Sequence, residues 1–581
     1  MKKFIAAILA LSMSATLACG CNLGDDENEE GTGGGGGEIV QPEPTPEPQP
    51  EDPAVVHLKT NLSADGYARD NVGDFSVYEN TEAYRKVTTA EELLQAIVDA
   101  KCHYSYEWDD ETNTYTQFPA NGYTEENFKG TVRVIEIAND LNLGYEVLST
   151  EAKASGVVED FSRKTMSNHI NDYNSDMVKE NGVSQIKVEN TSDLLIYSKN
   201  GAKLTHCGFK LTSDNNVVFR NLVMDEIWQW EDSPSASTGA VGDFDFHGWA
   251  YFKIAFCGYI WIDHCTFGKS YDGQIDISNP DYTANSGVAF RAPYGADGTS
   301  AVHISWCNFN AGSDDEDGYL YQMMAAIEED YQNGNYTALY YKALRDGGVS
   351  FEDILYGLAI PQKKGFLCGD SGDIYAYNLK LQVSFANCTF KNFEDRIPKL
   401  RGGNAYMYNC VVDSSQYYTY RSKLSGKAAS LVQAVNGSWK CALVSQGIVC
   451  GNGGSVKTEN CIFRGIQNLL KHNDKTSNKA ENPITAEMVK GGYQIVNCSY
   501  QLSATSTVQV GSSSGSNSPM IFQSSVTDLK ADLFSWHTEN GEQPFTPSVT
   551  ELEDLEEYLA NSDYGSGAKS ETSFSLLKSK Y

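Results

Sequence analysis

A short segment in which apolar and polar residues alternate returns repeatedly along the chain, the signature of strands with one buried face. It reads Ile260-Trp261-Ile262-Asp263-His264-Cys265-Thr266-Phe267, and comes back at Val302 to Phe309, Val383 to Phe390, Ala405 to Val412, Val456 to Phe463 and Gln494 to Tyr500. Val217 to Leu222 has the Asn without the cysteine. Asn or a substitute precedes Cys in each copy. Cys265, Cys307, Cys388, Cys410, Cys461 and Cys498 therefore hold one phase of a repeat whose closest pair, Cys388 and Cys410, is 22 residues apart. A strand-turn unit of that size, stacked on copies of itself, predicts an all-β chain wound as a right-handed, single-stranded parallel β-helix. Equivalent cysteines in such a stack share an orientation, which suits packed free thiols better than disulfides.

Helix signals are few. Thr89-Ala90-Glu91-Glu92 fits a capping box ahead of Leu93, Ile97 and Ala100, and predicts an N-terminal capping helix. Residues 313–360 interrupt one coil and predict a helical insertion, with helices from Tyr319 to Asp330 and from Tyr336 to Arg345. A short helix is expected from Glu551 to Leu559.

The first 18 residues place Lys2 and Lys3 before an apolar run from Phe4, which predicts a secretory signal peptide. Ala18-Cys19 resembles a bacterial lipoprotein cleavage site, with Cys19 as the lipidated residue. Residues 19–53 form a Gly- and Pro-rich tether with ten acids and no base, and the folded domain is expected over 54–581. The expectation is an exported protein held at the cell surface or outer membrane by its lipid, or otherwise secreted. The membrane is then a partner only through that anchor, and a monomer is expected.

Charge narrows the partners. The chain carries 77 acidic against 44 basic side chains, a formal charge of -33. That excludes nucleic acid and anionic membrane surfaces, which demand clustered Lys and Arg. A polyanionic substrate must be met by a local cationic cluster.

Several motifs stand in a telling order on this repeat. They are Ser192 to Ser198, Asn216 to Leu222, Asp225-Glu226-Ile227-Trp228-Gln229-Trp230-Glu231, Trp261-Ile262-Asp263-His264-Cys265, Tyr271-Asp272-Gly273-Gln274-Ile275-Asp276 and Arg396-Ile397-Pro398-Lys399-Leu400-Arg401-Gly402. Together, from about Val132 to about Ala568, they resemble the pectate lyase superfamily, specifically polysaccharide lyase family 1. The last resembles its Arg-x-Pro-x-x-Arg signature.

The resemblance implies cleavage of α-1,4-linked polygalacturonate, the homogalacturonan of pectin, by β-elimination. It implies Arg396 as the base that removes the C5 proton, with Lys364 and Arg401 binding the substrate. Arginine is an intrinsically poor base, so the role requires strong electrostatic help. The resemblance also implies Ca2+ held by Asp272 and Asp276. One departure stands out: the position of a further expected ligand is Ala250, and Gly248 replaces an acid, which leaves Asp245 as the nearby substitute. Two rival readings follow, a calcium-independent pectin lyase-like enzyme and a non-catalytic glycan-binding surface lipoprotein. His264 is read as a structural ladder residue rather than a base.

Overall fold

The structure, a computed structural model, describes residues 66–68, 73–109, 114–162, 176–230, 240–241, 247–278, 300–334, 339–371, 373, 375–434, 438–439, 445–472, 476–479, 482–503, 509–513, 529–538 and 540–577. The chain divides between Glu51 and Asp52. The first unit, with the signal segment and Cys19, lies outside the described residues, and so does Asp245. The second unit is a right-handed parallel β-helix. One of its sheets contains Ser184–Glu189, Cys207–Thr212, Phe252–Ala255, Ile275–Ser278, Phe366–Cys368, Lys399–Arg401, Gln446–Gly451 and Asn468–His472, each parallel to the next. Val158–Asp160 adds an antiparallel edge. A larger sheet holds the repeated segments. There Val217, Ile260, Val302, Val383, Ala405 and Val456 are successive partners, all buried. Phe267, Phe309 and Phe390 stack within the core at 4.7 and 5.2 Å.

The repeated segment, read from sequence as one strand, is mostly two strands meeting at a corner. Tyr259–Asp263 is followed by Thr266–Phe267, and Asn404–Tyr408 by Val411–Asp413. The corner residue takes a left-handed backbone: φ is 55° at Asn387, 50° at Asn409, 54° at Asn460 and 45° at Asn497. Asn tolerates that region better than most side chains. Its amide also donates to the Asn of the preceding coil, at 3.0 Å from Asn409 to Asn387, 3.0 Å from Asn460 to Asn409 and 2.9 Å from Asn497 to Asn460. His264 and Trp306 occupy the same corner and stack at 5.7 Å. The six repeat cysteines are buried free thiols. Each donates to the carbonyl two residues before it, at 3.2–3.3 Å.

The capping helix runs Ala90–Ala100, with Thr89 accepting from the Glu92 N–H and Leu93, Leu94, Ile97 and Ala100 buried. The insertion folds as Tyr319–Gln332, Leu339–Asp346 and Phe351–Ile354, and the expected start at Tyr336 lies outside the described residues. Ser415–Ala434 is a 20-residue helix that the sequence reading missed. It buries Tyr417, Leu424 and Ala428 against the insertion; a Cβ on Gly357 would sit 2.5 Å from Leu424 Cδ1. Leu555–Ala560 forms the short C-terminal helix. No described helix is long and apolar enough to cross a membrane.

Candidate active site

The expected site residues collect on the outer face of the eight-strand parallel stack. Strand alternation buries Ile275 and Ile277 and turns Asp276 outward. Asp272 lies in the preceding turn, its N–H donating to the Trp249 carbonyl at 3.0 Å. Gly273 lies between the two acids, and a Cβ there would sit 2.6 Å from Asp276 Oδ1 and displace that carboxylate.

Gln362 fixes this turn from a coil 90 residues away and is fully buried. Its Nε2 donates to the Asp272 carbonyl at 2.7 Å, to Ser270 Oγ at 3.0 Å and to the Lys364 carbonyl at 2.8 Å. Its Oε1 accepts from the Ser270 N–H and from Gln274 Nε2, both at 3.0 Å. One side chain thus ties the acidic turn to the lysine segment.

Lys364 reaches across to Asp272, Nζ to Oδ1 2.6 Å. Arg396 stands beside this pair with a left-handed backbone at φ 67°. Its N–H donates to Asp395 Oδ1 at 2.8 Å, and its carbonyl accepts from the Phe366 N–H at 2.7 Å. A Cβ on Gly365 would lie 2.4 Å from that carbonyl, so the close approach requires glycine. Arg396 Nε is buried without a hydrogen-bond partner. Arg401 is buried as well, and its Nη1 donates to the Gly369 carbonyl at 3.1 Å, which props a wall of the site. Lys399 faces outward between them. Burial pushes its ammonium down to about 8, helped by the charges of Arg401, Arg396 and Lys471 and opposed by Asp395.

Asp276 is raised to about 6, first by burial and then by the charge of Asp272, against the pull of Lys253, Arg396 and Lys364. Its Oδ1 is sealed from solvent without a hydrogen-bond partner. That orphaned oxygen invites a cation, yet the described residues around it do not complete a calcium shell, and Asp245 lies outside them. Ca2+ takes about six to eight oxygens. The expected ligand position is a buried alanine, Ala250. The space over Gly248 is taken by an ammonium, with Lys253 Nζ 3.1 Å from where a Cβ would stand. Asp272 is already paired with Lys364. Among the described residues no three His, Cys, Asp or Glu come together as metal ligands. Lys253, Lys364 and Arg396 all act on Asp276, and Lys364 also pairs with Asp272, so cations already surround the two acids.

The structure thus brings together Asp272, Asp276, Lys364 and Arg396, with Arg401 behind them. Sequence reasoning missed Lys253 and Gln362. Lys253 had a findable signal, since it follows the anomalous Gly248 and Ala250 by a few residues. His264 stands apart in the other sheet, beside Asp263, with Nδ1 to Oδ2 2.9 Å. Burial lowers its pKa, and it serves the corner ladder. The neighbouring Asp263 holds Arg220 at 2.9 Å and Ser305 at 2.7 Å, so the Trp-Ile-Asp-His motif is scaffold.

No family model matches the chain. Pectate lyase B of Paenibacillus amylolyticus is 27% identical over 403 residues, covering 69% of this chain and 86% of that one. Pectate trisaccharide-lyase of Thermotoga maritima is 30% identical over 125 residues, 22% of this chain and 26% of that one. A solved pectate lyase from Paenibacillus sp. 0602 superposes with a TM-score of 0.68 at 25% identity, over 90% of this chain and 100% of that one.

Proposed function

We propose that the chain is a pectate lyase of the pectate lyase superfamily and cleaves α-1,4-linked polygalacturonate by β-elimination with Arg396 as the base. The observation that carries this reading is the convergence of Lys253, Lys364 and Arg396 on Asp272 and Asp276 along one exposed sheet face. Lys253 and Lys364 offer a uronate carboxylate two ammonium partners. Placing that carboxylate against Lys253 and Lys364 withdraws charge from C5 and makes its proton more acidic. Arg396, acting as the neutral guanidine, takes the proton and becomes guanidinium, the electron pair forms the C4–C5 double bond, and the C4–O4 bond breaks. Departing O4 takes a proton from water or a site cation. Lys399 and Arg401 stand close enough to Arg396 to feel its charge.

No step in this reading passes through calcium. The Ala250 position and the Lys253 ammonium favour a metal-independent site, whereas methylated substrates would forgo the ionic contacts that Lys253 and Lys364 offer. Export and lipidation at Cys19, with a monomeric enzyme at the cell surface, complete the reading and rest on the N-terminal sequence.

The test is the ultraviolet absorbance of unsaturated product during incubation with polygalacturonate. Wild type should raise it. Arg396→Ala should lower kcat by roughly 10²- to 10⁴-fold, the usual worth of a positioned proton acceptor, with unchanged circular dichroism. Near wild-type turnover in that variant would remove Arg396 from the role of base. Binding of polygalacturonate with no absorbance change in wild type would favour the non-catalytic reading.

A further inference from the structure

The outward positions of the sheet that carries the active site fall into a single register column. Lys187 pairs with Lys210, Lys210 with Lys253, and Lys253 with Asp276. Beyond Asp276 the column runs through Leu367 to Lys399, then through Val449 to Lys471. Their strand neighbours, such as Ile186, Val188, Phe209, Leu211, Phe252 and Ile254, are buried, so the lysines stand on the outer face. Five lysines thus share one file with one carboxylate, in a chain of formal charge -33.

Physics gives this file no reason to exist for stability. Rungs are about 4.8 Å apart, and like charges directly across neighbouring strands destabilise a sheet. Lys187 pairs with Glu159 at 3.6 Å, a half-exposed contact that offsets little of the repulsion. Among the described residues no carboxylate pairs with Lys210, and Lys253 stands opposite Asp276 at the catalytic end. An extended polyanion laid along the axis would turn this repulsion into attraction at every rung.

We infer that the file from Lys187 through Lys253 is a binding rail for several successive uronate carboxylates of a long polygalacturonate, running from the catalytic cluster toward the N-terminal coils. The inference rests on the proposed lyase reading for the chemistry of its ligand. It adds that affinity grows with substrate length on the Lys187 side, through Lys187 and Lys210.

The test compares wild type with the double variant Lys187→Gln/Lys210→Gln in the full chain. Two substrates are used, long polygalacturonate and the shortest oligogalacturonate that wild type cleaves. KM for the long substrate should rise roughly five- to tenfold, the combined worth of two exposed ion pairs, and its dependence on salt should flatten. KM and kcat for the short substrate should stay as in wild type, which also shows that the variant is folded. A control variant, Lys342→Gln/Lys490→Gln, should change neither. An unchanged KM for the long substrate overturns the rail. So does an equal loss on both substrates, or an equal loss in the control. Failure of wild type to cleave any uronate defeats the lyase reading instead, which keeps the two failures distinct.

Discussion

Lys364 Nζ lies 2.6 Å from Asp272 Oδ1, across 92 residues of sequence, and this pair joins the acidic turn to the cationic coil of the active site. Both side chains are largely buried, at 17% and 19% exposure, so removing one partner strands the other. Asp272→Asn removes the carboxylate that competes for Lys364 and should tighten its grip on the substrate carboxylate, lowering KM and kcat together. Lys364→Met should raise KM by about 10- to 100-fold, as expected for a lost charge-assisted contact of roughly 1.5–3 kcal/mol. The two single variants and the double variant, measured on polygalacturonate, should show non-additive kcat/KM. Additive losses would mean that the pair does not act as a unit.

Calcium offers a second check. Titration of the full chain with Ca2+ alone, followed by calorimetry, should show no tight site, and a chelator should leave turnover on polygalacturonate unchanged. Lys253→Ala opens the space over Gly248 and lifts one positive charge from the two aspartates. That variant should be less active and should gain measurable Ca2+ binding. A tight calcium site in wild type, lost on chelation together with activity, would refute this account.

Lys399 carries a pH signature. Its folded pKa is depressed to about 8 from 10.5, so between these values the unfolded chain holds more protons and stability rises with pH. The charged lysine therefore costs stability below about pH 8, and the cost is gone above the unfolded pKa. Lys399→Met should raise the melting temperature at pH 6.5 and converge with wild type near pH 10.5. Binding should show the opposite trade. Affinity of an Arg396→Ala background for polygalacturonate should fall as pH rises through 8, and Lys399→Met should flatten that fall. A stability difference between wild type and Lys399→Met that is independent of pH would contradict the shift.

The buried pair Arg220–Asp263 tests the scaffold. Arg220 Nε is 2.9 Å from Asp263, both are about fully buried, and Trp261 covers the guanidinium at 4.4 Å. Asp263→Ala leaves a buried unpaired cation and should cost about 3–5 kcal/mol in denaturant unfolding. A loss under about 1 kcal/mol would show that solvent or a neighbour takes over the charge.

The corner ladder was legible because every coil solves the same local problem with the same residues. A left-handed corner favours Asn409 and Asn460, and the tight inward turn after it takes Cys410 and Cys461, so identity at fixed phase survives in the sequence. The helix Ser415–Ala434 was not legible, since its apolar positions, Tyr417, Leu424 and Ala428 among the described buried ones, stand among Ser, Thr and Gly that mask the period.

By itself the sequence determined the coiled architecture, the capping helix at Ala90, and the candidacy of Asp272, Asp276, Lys364, Arg396 and Arg401, because repeats and motifs are local patterns. Only the tertiary structure decided what those residues face. Lys253 reaches the two aspartates by strand pairing, Gln362 by hydrogen bonds over 90 residues, and the lysines of the rail by register between coils. Charge acts through space. Which ammonium stands over which carboxylate depends on how coils stack, and no spacing along the chain records it.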